Sequence, residues 1–153
     1  MKQMVLVLAC CVITSTVSAQ FVARMQVDEP IEGICDEKEV YALFPMLNGQ
    51  IEAEPSISMD EITAKLNELT FLKENPKYKD KGMLNVIINC KGEVVQCKMD
   101  GNGKIKSKVL NDGIINVFRS QIELTAGKLN GQAVDSILLY SFKIKKGQLT
   151  FES

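Results

Sequence analysis

Two runs rich in strand-forming residues, LNVIIN at 84–89 and EVVQCKM at 93–99, stand on either side of Lys91-Gly92. Turn chemistry between two such runs predicts an antiparallel hairpin, and a two-residue turn there places Cys97 opposite Val86. A hairpin with apolar residues on both strands needs further layers to cover it, so this stretch commits the chain to a sheet. A second turn follows at Asp100-Gly101-Asn102-Gly103, where two glycines and an asparagine tolerate positive φ. The DGNGK run lacks the upstream glycine and the hydroxyl residue of a phosphate loop, and the bidentate glutamate of a calcium loop, so it reads as a plain turn.

Helical signals flank the hairpin. In SMDEITAKLNELTFLKENP, Ser58 and Glu61 have capping-box spacing, and Met59, Ile62, Leu66 and Leu69 recur at helical intervals. This predicts one amphipathic helix that starts after Ser58 and stops before Pro76. A shorter helix is expected from Leu110, capped by Asn111 or Asp112, with Ile114, Ile115, Val117 and Phe118 on its apolar face and Gly113 weakening it. A first strand is read at EVYALF, residues 39–44, ending at Pro45. A last long strand is read over 135–144, and a tail strand over 148–151 folds back on it. The element order predicts an α+β fold: an antiparallel sheet of three to four strands with two helices packed on one face.

The chain opens with Lys2, an apolar stretch through Ile13 and a small-residue site at Val17-Ser18-Ala19, the pattern of a cleavable secretory signal over 1–19. A lipoprotein signal that acylates Cys10 is the competing reading. Residues 20–56 then form an N-terminal extension with one strand, and 57–153 the main α+β domain. Cleavage predicts an exported chain, periplasmic or secreted, of 134 residues with no transmembrane segment. It leaves 17 basic and 19 acidic side chains, a balance that offers no field to collect nucleic acid. Three cysteines survive: Cys35, Cys90 and Cys97. In an oxidising compartment Cys35 can join Cys90 or Cys97, and three buried free thiols are the alternative. A leftover thiol would permit a homodimer.

The sequence contains no histidine. The usual general base and the commonest metal ligand are therefore missing, and triads built on histidine are excluded. Glu52, Glu54, Asp60 and Glu61 read as solvated or capping acids. Cys90 and Cys97 lie in strand patterns without a base to activate them. No cofactor, catalytic residue or metal ligand is expected, and the chain reads as non-enzymatic.

One further stretch carries a likeness. LTAGKLNGQAVDSILLYSFKI follows the second helix and runs a glycine-rich loop straight into the last strand. Hairpin, short helix, loop and terminal strand in this order resemble the C-terminal domain of TonB. That family's loop reads Trp-x-Pro-Gly-x-x-Asn-Gly-x-Pro-Val. Gly127, Asn130, Gly131 and Val134 occupy the matching positions, while Leu124, Ala126 and Ala133 stand where its tryptophan and two prolines would be. The resemblance spans roughly 73–147. The loop residues are expected to turn the chain sharply out of the helix layer and into the sheet. The resemblance implies a stand-alone relative of a receptor-contacting domain that captures an extended strand from another envelope protein. Ser136, Ile137, Leu138, Leu139 and Tyr140 are the candidate edge strand for such a peptide. A carrier of a small apolar ligand or lipid, with a cavity between helices and sheet, is the alternative.

Overall fold

The computed structural model describes residues 21–27, 29–101 and 105–152. The signal read at 1–19 lies outside them, as do residues 102–104 of the second turn. Three short strands open the described chain: β1 (Ala23–Gln26), β2 (Glu39–Ala42) and β3 (Gln50–Ile51). Helices α1 (Met59–Asn67) and α2 (Thr70–Glu74) follow, then the hairpin of β4 (Asp80–Ile88) and β5 (Val94–Met99), and helix α3 (Lys108–Ser120). A small hairpin of β6 (Gly127–Leu129) and β7 (Gln132–Val134) leads into β8 (Ser136–Lys145) and β9 (Gln148–Phe151).

The fold is α+β, but its main sheet has six strands where three to four are expected. The order is β1-β2-β8-β4-β5, with β9 also on β8, and β3-β6-β7 form a second, three-stranded sheet. The N-terminal extension carries three strands and not one, and two of them, β1 and β2, join the main sheet. Its strands are too short to show a period-2 pattern and exist through tertiary pairing, β1 with β2, β2 with β8 and β3 with β6. The sheet is antiparallel except where β2 meets β8 in parallel at Tyr41 and Ser136.

The β4–β8 ladder is the backbone of the molecule, in register from Asp80 opposite Ile144 to Ile88 opposite Ser136. Alternation puts Leu84, Val86 and Ile88 of β4 and Leu138, Phe142 and Ile144 of β8 on one face. All six are buried, together with Ile62 and Leu66 of α1, Leu72 of α2 and Leu110, Ile114, Val117 and Phe118 of α3. Each such side chain contributes about 1.5–3 kcal/mol by leaving water, so this layer dominates the stability of the fold.

Ser58 forms the expected capping box: Glu61 N–H donates to Ser58 Oγ at 3.2 Å and Ser58 N–H to Glu61 Oε2 at 2.9 Å. The helix does not run on to Asn75 as predicted; it breaks at Glu68 and Leu69 and restarts as α2. Tertiary packing explains the break, because the Leu69 side chain lies against the bare face of Gly113, where a Cβ would come within 3.3 Å of it. The second helix also begins earlier than predicted. Ser107, not Asn111 or Asp112, is the cap, accepting Leu110 N–H at 3.2 Å, and Asn111 sits inside the helix.

Candidate functional site

Asp135, at the mouth of β8, ties three parts of the chain together. It is 2% exposed. Its Oδ2 accepts the backbone N–H groups of Cys35 at 2.8 Å and Asp36 at 2.6 Å, and its Oδ1 accepts Cys90 N–H at 2.9 Å. Its own carbonyl accepts Tyr41 N–H at 2.9 Å. Cys35 and Cys90 are joined as a disulfide, which selects between the two pairings open to the sequence. Asn89, also buried, completes the knot: Oδ1 accepts Lys91 and Glu93 N–H, and Nδ2 donates to Gly33 O at 2.9 Å. Cys35, Cys90 and Asp135 bring three ligand-type atoms within 4.8 Å of one another. In this state both sulfurs are bonded to each other and both carboxylate oxygens hold N–H groups, so the cluster acts as a structural clamp.

Among the described residues Cys97 is the free thiol, and it is buried. Burial pushes it up to about 11, against a lowering pull from Arg119. A homodimer through this leftover thiol is therefore disfavoured by both access and protonation.

The loop Gly127, Asn130, Gly131 and Val134 is placed differently from its expected role. It is not a simple swerve out of the helix layer but a hairpin: Asn130 at φ 52 and Gly131 at φ 82 make the turn between β6 and β7, and Val134 pairs with Gly127. Positive φ at both central residues is the hairpin-closing geometry that Asn-Gly favours. Gly127 is needed for another reason, since a Cβ there would lie 2.5 Å from Leu43 Cδ1 and 2.7 Å from Ser136 Oγ.

The candidate edge strand, residues 136–140, is narrowed by the sheet order. β4 lines one side of β8 throughout, while on the other side β2 meets Ser136 and β9 covers 142–145, so that among the described residues only 137–140 has no strand paired on that side. Ser136 and Leu138 are buried, and the Tyr140 ring lies between Phe118 at 5.0 Å and Phe151 at 5.6 Å. Burial pushes Tyr140 up to about 12, helped by the charge of Glu52. Ile137 and Leu139 point to the face opposite the helices, and Leu139 is exposed. A strand this apolar belongs within a sheet, with one flank covered by β4 throughout, the other flank covered at its two ends by β2 and β9, and one face packed on the helices.

The long open edge belongs to β5. Among the described residues β5 pairs only with β4, and α3 packs beneath it. Asp100 N–H donates to Met83 O at 2.8 Å, so backbone alternation turns the N–H and C=O groups of Cys97 and Met99 outward. Of the two outer strands of four residues, β1 lies at the far end of the sheet on β2, and β9 is closed by Asn67, whose side chain donates to Leu149 O at 3.0 Å and accepts Leu149 N–H at 2.7 Å.

The acids behave as supports. Hydrogen bonds from Ser58 N–H and Oγ hold Glu61 below its ordinary value, whereas burial, with the charge of Glu54, raises Glu52. Two clefts of about 550 and 570 Å³ run along the N-terminal segment, beside Arg24, Met25, Val27 and Glu37, and not between helices and sheet. Among the described residues no helix is long and apolar enough to cross a membrane. No family model, curated protein or solved structure matches the chain. Asp135, Asn67 and the Asn89 bond to Gly33 O escaped the sequence reading because each reaches backbone groups far away in the chain. Ser107 gave a local signal, standing before a helical run.

Proposed function

We propose that the chain is an exported, non-enzymatic interaction module that takes up an extended peptide of another envelope protein by strand addition along β5. The observation that carries this reading is the free edge of β5, six residues long and backed by α3. An extended segment laid beside it would bond to the outward groups of Cys97 and Met99, while its alternate side chains met the flank of α3 and the open face near Lys98. The resemblance to the C-terminal domain of TonB supports the same mode of binding, with the site moved from the last strand to the hairpin. The Cys35–Cys90 disulfide suits an oxidising compartment.

Panning a library of extended peptides against the chain, then measuring amide exchange in the complex, tests the assignment. The Cys97 and Met99 amides are expected to slow on binding. Protection confined to Ile137 and Leu139, or absent from both strands, would refute β5 as the site.

A further inference from the structure

At the end of the β4–β8 ladder remote from the disulfide, lysine faces lysine. Lys81 of β4 is directly opposite Lys143 of β8. Asp80 pairs with Ile144, so Lys79, just before β4, falls opposite Lys145, the last residue of β8, and alternation puts all four on one face. Lys106 joins them from the loop before α3, anchored by its N–H on Asp80 Oδ2 at 2.9 Å. These five lysines line one open cleft of about 530 Å³, and the acids there are Asp80 and Glu152.

Like charges directly opposite on paired strands oppose folding, so the fold itself gains nothing from this arrangement. The two acids offset only part of it. Asp80 is committed inward, accepting Tyr78 Oη at 2.8 Å and the N–H groups of Lys81 and Lys106 at 2.9 Å each. Burial raises its carboxyl, but those hydrogen bonds and the Lys106 charge outweigh it and hold Asp80 below its ordinary value. Glu152 approaches Lys143 at 3.5 Å, the single ion pair made by any of the five lysines among the described residues. Three positive charges stand in excess in a chain whose formal net charge is −1.

We infer that this cleft is a binding site for clustered phosphate groups. Its cations are ammonium groups on flexible stems, spaced about 5 Å across the strands and about 7 Å along them, the scale of neighbouring phosphates. Lysine meets phosphate as a point charge, whereas a lone carboxylate is better matched by the arginine fork, which is missing from the lining. Among the described residues no aromatic ring lines the cleft to stack a nucleobase, and the one apolar lining residue, Ile144, is buried, so none of them is poised to enter an acyl layer. The phosphates can come from a soluble oligophosphate or from headgroups at a bilayer surface. This site does not depend on the peptide reading of β5.

The test uses the full chain at low ionic strength. Calorimetric titration with inorganic tripolyphosphate measures the soluble arm. Sedimentation with phosphatidylcholine vesicles, with and without phosphatidic acid, measures the headgroup arm. Lys81→Gln with Lys143→Gln is expected to weaken binding at least about tenfold, since two contact charges are lost. Lys65→Gln with Lys128→Gln, which changes the net charge equally, should cost less than about twofold. Response of one arm only assigns the source and upholds the site. The inference is overturned if neither probe binds, if both double variants weaken binding equally, or if a single-stranded DNA oligomer binds more tightly than tripolyphosphate. Thermal unfolding controls for misfolding: the Lys81→Gln, Lys143→Gln chain should melt no lower than the parent.

Discussion

Replacing Cys35 and Cys90 together by alanine should lower the stability of the chain by about 4 kcal/mol, because the loop they close, with a sequence separation of 55, regains its freedom in the unfolded ensemble. With a urea m-value of about 2 kcal/mol/M for a domain of this size, the unfolding midpoint then falls by about 2 M. The loss should also have a location. β1 and β2 meet the rest of the main sheet through one parallel register pair, Tyr41 with Ser136, and the Tyr41 N–H bond to Asp135 O. Without the disulfide, the segment ahead of Glu39 is held mainly by hydrogen bonds to Asp135, Asn89 and Gln50. Amide exchange in Ala23–Gln26 and Glu39–Ala42 should therefore quicken before that of β4 and β8. A midpoint shift below about 0.5 M, together with unchanged exchange in β1 and β2, would refute the clamp as a source of stability.

Three other perturbations probe the supports of the same frame. Asp135→Ala strips the acceptor from the N–H groups of Cys35, Asp36 and Cys90 and should cost about 3 kcal/mol in chemical denaturation; Asp135→Asn, which keeps one carbonyl oxygen, should fall between it and the parent. Gly127→Ala forces a Cβ into Leu43 and Ser136 and should cost about 1–3 kcal/mol, more than Gly131→Ala, whose site is open and where the strain of φ 82 costs about 1 kcal/mol; thermal melts that reverse this order would contradict the packing argument. Hydrogen bonds from Ser58 hold Glu61 below the ordinary glutamate value in the folded chain, so its contribution is present above that ordinary value and fades as pH falls through the folded one; the stability deficit of Ser58→Ala, followed by urea titration, should accordingly shrink in acid.

Local chemistry was legible where it acts over short distances. Ser58 and Glu61 announced their cap, and the hairpin around Lys91-Gly92 placed Cys97 opposite Val86, as found. The tail strand β9 folds back on β8 as its sequence suggests. What failed was nonlocal. The helix from Met59 is broken because Leu69 packs on Gly113, a residue from another helix. The strand beginning at Ser136 looks the same in sequence whether it lies at an edge or in the middle; only its pairing with β2, β4 and β9 decides. The charge balance likewise gave no sign of an anion site, since Lys81 and Lys143 become neighbours only through the register of β4 and β8.

The same ladder explains how one small chain can carry separate surfaces. β4 spans nine residues, about 26 Å end to end, and its two ends are built for different tasks. At Ile88 the ladder meets the disulfide, Asn89 and Asp135, which fix the backbone that β5 pairs with. At Asp80 it has outrun β5, whose pairing ends at Leu84 with Met99, and the lysines gather on the part of β4 left over. A change at the lysine end therefore leaves the β5 edge and its clamp intact, and loss of the clamp leaves the opposition of Lys81 and Lys143 in place. The two surfaces should respond independently: a chain lacking Cys35 and Cys90 that still folds should retain tripolyphosphate binding, and the Lys81→Gln, Lys143→Gln chain should retain normal amide exchange along β5. Loss of tripolyphosphate binding in a folded chain without the disulfide would show that the ladder couples its ends, against the separation argued from its length.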